Sequence, residues 1–131
     1  MNEQPAFQKW LDRVSYDLDT AKAMLQTGRL IYAVFMCQQS LEKAIKALLV
    51  FQGKEVIPIH NLRRLAEKAS ITQELDDSTL IKLDFLSNYY INARYKEDLR
   101  QLSKGISDKV AGDFVDFAEG LIKWLREKMK Q

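Results

Sequence analysis

The stretch GRLIYAVFMCQQSLEKAIKALLVFQG, residues 28–53, decides the fold. Val34, Gln38, Leu41, Ile45 and Leu48 recur at spacings of three and four, flanked by Ile31, Phe35, Ala44 and Leu49. Those spacings place one row and its neighbours on the face of a strongly apolar α-helix. Gly53 stops this helix, and Gly28 falls just past the end of the one before it. That earlier helix shows in Phe7, Leu11, Val14, Leu18, Ala21 and Leu25, again a single stripe, with Pro5 suited to its first turn. A link of only a few residues between two long helices implies an antiparallel hairpin.

Downstream, the connector from Lys54 to His60 carries Pro58 and leads into a short helix over Asn61–Ala69, with Asn61 as N-cap. After a polar stretch from Ser70 to Ser78, a fourth helix carries Leu80, Leu83, Leu86, Tyr90 and Ala93 on one row. Residues Arg94 to Ile106 are charged, lose the period and include Gly105, and they read as a loop. Ser107 and Asp108 then supply an N-cap oxygen and an anionic first turn. The last helix has two adjacent stripes, Val110-Phe114-Phe117-Leu121-Trp124 and Ala111-Val115-Ala118-Ile122-Leu125-Met129. A face that wide touches at least two other elements. Gly112 and Gly120 inside it suggest close helix approach. The expected architecture is all-α: one domain over residues 1–131, an antiparallel up-and-down bundle of four long helices plus one short helix.

Composition narrows the function. A chain of 131 residues can bury roughly two-thirds of its unfolded surface, so its core needs neither disulfide nor metal. One Cys and one His exclude a disulfide framework, a thiolate-rich zinc site and a multi-histidine metal site. No apolar run reaches the roughly 18 residues of a membrane span, and MNEQPAFQKW is too polar for a secretory signal. A cytoplasmic protein away from membranes, with no metal and no cofactor, is the expectation. Twenty Lys and Arg against eighteen Asp and Glu leave a net charge of +2, with signs interleaved. Any anion site is therefore a local corner.

Neither glycine-rich phosphate loop, GxGxxG or GxxxxGK[ST], is present. Cys37, inside a helical run, reads as a small buried hydrophobe. Asp113, Asp116 and Glu119, like Asp17 and Asp19, read as solvated helix faces, because no ExxH pair accompanies them. Three features ask for more. Gln39, Glu42, Lys43 and Lys46 form a polar band beside an apolar helix, although Glu42 and Lys46 could simply pair at i, i+4. His60 stands at a loop-to-helix junction, where a lone His more often has a structural role. Tyr89, Tyr90, Arg94, Tyr95 and Lys96 gather where the fourth helix ends. Such a set can stack on a base and pair with phosphate, or merely offset the helix macrodipole.

The order of these features resembles the HEPN family of small prokaryotic all-α proteins, which are similar to the C-terminal helical domain of aminoglycoside nucleotidyltransferases. The residues that carry the resemblance are WLDRVSYDLDTAKAML, the 28–53 stretch, HNL from His60, YINARY from Tyr90, and the helix from Ser107 to Trp124. The resemblance implies a bundle that dimerises and is often encoded beside a small nucleotidyltransferase. Many of the family are metal-independent endoribonucleases of toxin–antitoxin systems, marked by an Arg, four to six residues, then a His. Arg94 matches the Arg, but the matching positions hold Leu99, Arg100 and Gln101. Without that imidazole the general base is missing. The expectation is thus a non-catalytic, dimeric partner module of a nucleotidyltransferase that binds nucleotide or RNA through Lys43, Lys46, Tyr90, Arg94, Tyr95 and Lys96. The alternative is a toxin with a divergent catalytic set of Arg94, His60 and Tyr95.

Overall fold

The computed structural model describes residues 4–96 and 99–130, without the side chains of residues 95, 96, 99 and 100. Helix α1 runs Ala6–Gln26, α2 Leu30–Phe51, α3 Leu62–Lys68, α4 Asp77–Ile91, α5 Leu99–Lys104 and α6 Asp108–Lys128. Four are long and two short, and the described residues contain no strand.

Side-chain pairs give the helix directions. Lys22 meets Glu119 and Arg126 meets Ser15, so α1 and α6 are antiparallel. Phe85 stacks on Phe114 while Lys82 lies over Phe117, so α4 and α6 are antiparallel too. With the α1–α2 hairpin, the long helices run up, down, up, down. Helix α2 is the hub: it packs on α1, α3, α4, α5 and α6, and every member of its expected row is buried. Apart from Ala33 and Tyr90, the buried apolar residues of α1–α6 join in one cluster.

The helix ends follow local chemistry. Gly28 and Gly53 take φ of +77° and +74°, and the two residues after each helix bond back to its last turn. These are paired glycine stops of the Schellman type. Helix α3 ends the same way on Ser70, whose φ of 59° is strained for a residue with a Cβ. Ser70→Gly should raise stability by up to about 1 kcal/mol, measured by chemical denaturation. An unchanged or lower midpoint would show that Ser70 carries no such strain. Asn61 caps α3 and Ser107 caps α6, as expected.

Three expectations need correction. Helix α4 begins at Asp77 within the polar stretch, because the Asp76 carboxylate accepts from Thr79 N and caps it; a 3₁₀ turn over Thr72–Glu74 precedes it. The segment read as a loop from Arg94 instead holds part of a π-helical turn, Asn92–Lys96, and helix α5. Its charged composition hid a helix only six residues long. Neither inner glycine of α6 marks a tight approach. A Cβ at Gly112 would meet Leu25 at an ordinary 4.0 Å, and one at Gly120 would enter open space.

Of the two α6 stripes, the Ala111–Met129 one is buried and the Val110–Trp124 one only half-buried. The latter lies toward α4, where large side chains rather than close backbones fill the space. No helix among the described residues is long and apolar enough to cross a membrane.

Candidate functional site

Gln38 lies in the apolar row of α2, and one turn later Glu42 follows, then Lys46. Spacing of four residues keeps all three on one face. All three are buried. Gln38 Nε2 donates to Glu42 Oε1 at 3.0 Å and to the His60 carbonyl at 3.0 Å, fastening the connector to α2. Lys46 Nζ donates to Glu42 Oε2 at 2.8 Å. His60 Nδ1 approaches the two Glu42 oxygens at 3.1 and 3.0 Å. Burial alone would raise the Glu42 carboxyl, but hydrogen bonds from Lys46, Gln38 and His60 outweigh it and hold the group below its ordinary range. The i, i+4 pair is therefore present, yet it is an internal bond rather than a solvated one.

Above this network sits Tyr90, buried at the end of α4. Phe35 stacks on it at 5.2 Å and the His60 ring tilts against it at 5.3 Å. Arg94 Nη1 donates to the Tyr90 hydroxyl at 2.7 Å, with Cζ 5.7 Å from the ring centre. Folding thus brings His60 and Arg94, from separate segments, to one phenol. Both are exposed while the groups that hold them are buried. This half-dressed corner can present a planar guanidinium to phosphate and an imidazole edge to a neighbouring polar atom.

The structure treats the expected site residues unequally. Tyr90 and Arg94 come together, and the Tyr90 ring is too enclosed by Phe35 and His60 to stack on a base. Lys43 turns toward α1 and pairs with Asp17. Lys46 is spent on Glu42, so neither ammonium is the outward-facing cation expected. The side chains of Tyr95 and Lys96 lie outside the described residues. His60 combines two roles, bonding the interior through Nδ1 and leaving 51% of its side chain exposed.

Gln38 and Glu42 are the members that sequence reasoning did not assign to the site. The signal was an amide inside an otherwise apolar row, since a buried amide needs partners and draws other polar groups to it.

Elsewhere the chemistry is quiet. Burial pushes the Cys37 thiol up to about 12, consistent with an inert core residue. Asp113 pairs with Lys109 and Glu119 with Lys22, and no group of three metal-ligating side chains occurs among the described residues. Grooves of about 350 and 450 Å³ lie at the α1–α2 turn and between α4 and α6, away from His60 and Arg94.

Known proteins share this architecture. The chain is similar to TT1696 from Thermus thermophilus, with a TM-score of 0.81 and 23% identity over 95% of this chain and 99% of that one. It is also similar to ST0689, described as an archaeal HEPN homologue, with a TM-score of 0.76 and 24% identity over 99% and 100%. Likeness at that identity speaks for the fold. In sequence, a Methanocaldococcus jannaschii protein provisionally named toxin MJ1304 is 24% identical over 134 residues, covering 91% of this chain and 88% of its own. The family model of the HEPN domain matches residues 7–128, a span that takes in α1, the α2 network, His60 and Arg94, and the chain belongs to that family.

Proposed function

We propose that this HEPN protein is a binding and partner module, not an enzyme in its own right, whose Arg94 corner holds the phosphate of a nucleotide or RNA. The observation that carries the reading is the Arg94 guanidinium, exposed to solvent yet anchored at 2.7 Å on a buried phenol. An anchored guanidinium has surrendered less freedom at the moment of binding, and its planar fork suits phosphate oxygens. The near-neutral total charge agrees with one local contact rather than a wide basic surface. In this reading the bundle works as a dimer beside a nucleotidyltransferase, in keeping with its family.

Titration of nucleotides and short RNA against wild type and Arg94→Ala tests the ligand. Loss of a charge-assisted bond should weaken binding roughly 10- to 100-fold. Equal, negligible binding by both proteins would remove the ligand from the proposal. Mass measurement in solution tests the dimer, and co-purification with a nucleotidyltransferase encoded beside it tests the partner.

A second reading, a metal-independent ribonuclease, is favoured by one observation: His60 and Arg94 flank the same Tyr90 ring although the family's own His is absent. The name of the M. jannaschii relative points the same way. Here the imidazole would take the 2′-hydroxyl proton and Arg94 would offset charge on the phosphorus centre. Cleavage of RNA that survives a chelator and disappears in His60→Ala would establish this reading. Intact RNA after long incubation with pure protein would end it.

A further inference from the structure

The network beneath His60 dictates which of its nitrogens faces out. Glu42 already accepts from Lys46 and Gln38, and an ionised carboxylate has no proton to offer. Its contact with His60 Nδ1 therefore requires the hydrogen on the imidazole. In a neutral ring the other nitrogen, Nε2, then carries a lone pair. Glu42 leaves 8% of its side chain exposed and His60 51%, so the open edge of the ring is the one remote from Glu42. The Gln38 bond to the His60 carbonyl fixes the backbone from which the ring projects. Two constraints from one helix thus hold one tautomer in one place, next to the ring on which Arg94 rests.

We propose that Glu42 is a positioning residue that keeps His60 a hydrogen-bond acceptor at Nε2, so that the corner selects a phosphate ligand carrying a hydroxyl donor beside the phosphate, the 2′-hydroxyl of a ribonucleotide. Arg94 takes the phosphate and His60 reads the sugar. The inference rests on the phosphate-binding reading above and adds to it the group that discriminates. No bond is made or broken in this step.

Two measurements test it. The chain has a single His, so its imidazole nitrogens give one assignable set of nitrogen-15 signals in protein freed of any histidine tag. At pH 8 the wild type should show the Nδ1–H tautomer. Glu42→Gln, which presents an amide N–H in place of one acceptor oxygen, should move it toward Nε2–H. An Nε2–H tautomer in the wild type overturns the proposal. In the second measurement, a uridine tetranucleotide is compared with its 2′-deoxy and 2′-O-methyl counterparts. The wild type should prefer the ribo form about tenfold over both, the worth of one hydrogen bond. His60→Ala should bind all three at the deoxy level, still through Arg94. Equal wild-type affinity for the three overturns this inference and leaves phosphate binding standing. Failure of all three to bind overturns both.

Discussion

Glu42→Ala should cost about 3–5 kcal/mol of folding stability, the usual consequence of leaving a buried charge without its partner. The residue stranded is Lys46, whose side chain is as enclosed as that of Glu42, at 8% exposure each. The change also deprives Gln38 and His60 of their shared acceptor. A double replacement, Glu42→Leu with Lys46→Met, removes both charges and fills similar volume. It should cost clearly less than the single change, because the desolvation cost disappears along with the attraction and only the Gln38 and His60 donors lose an acceptor. Chemical denaturation of the three proteins checks this, and a single variant no less stable than the double one would refute the buried pair. The pH dependence follows in sign. The Glu42 carboxyl gives up its proton more readily folded than unfolded, so its contribution is whole above the ordinary value of 4.5 and is lost as pH falls through the lower folded value. The double replacement should therefore lose less stability than wild type on acidification below that point.

Leu41→Ala should cost about 2–5 kcal/mol, toward the upper part of that range. Leu41 is fully buried on the helix that touches every other helix. Neighbours held by several elements at once have little room to close over a void, and residual cavity volume sets the penalty. Leu121→Ala, on the half-buried stripe of α6, is the matched control and should cost clearly less. Urea denaturation of both variants decides the matter. A loss below about 1 kcal/mol at Leu41 would mean that the bundle collapses freely around α2. Either large loss is a substantial part of the roughly 5–15 kcal/mol that holds a typical domain together.

Long-range periodicity made the four long helices legible, since each places several apolar residues on one face and a three- or four-residue spacing has no other economical reading. The stops at Gly28 and Gly53 were legible for the same local reason. Helix α5 was not, because six residues show less than two turns of pattern. At the site, residue type alone drew notice to His60, Tyr90 and Arg94. The arrival of His60 beside the other two could not be read, because it depends on how the connector lies across α2, a matter of tertiary packing. The lysines show the limit most clearly. Lys43 and Lys46 belong to one polar band and stand only about 60° apart around the helix, yet one reaches Asp17 of α1 and the other is buried with Glu42. An i, i+4 pair in a sequence carries no sign of whether water or protein will surround it.

The π-helical turn over Asn92–Lys96 bears on how such a corner could arise or be lost. A turn of this kind holds one residue more than an α-helix accommodates in the same advance along its axis. Its length therefore sets the azimuth at which Arg94 leaves the end of α4. Deleting Asn92 would spare the core side chains of α4, yet swing Ala93 and the Arg94 guanidinium about the axis and the latter off the phenol. The seat of Arg94 on Tyr90 thus depends on a backbone irregularity at the edge of the core, and a single-codon change is expected to disturb that corner before it disturbs the bundle.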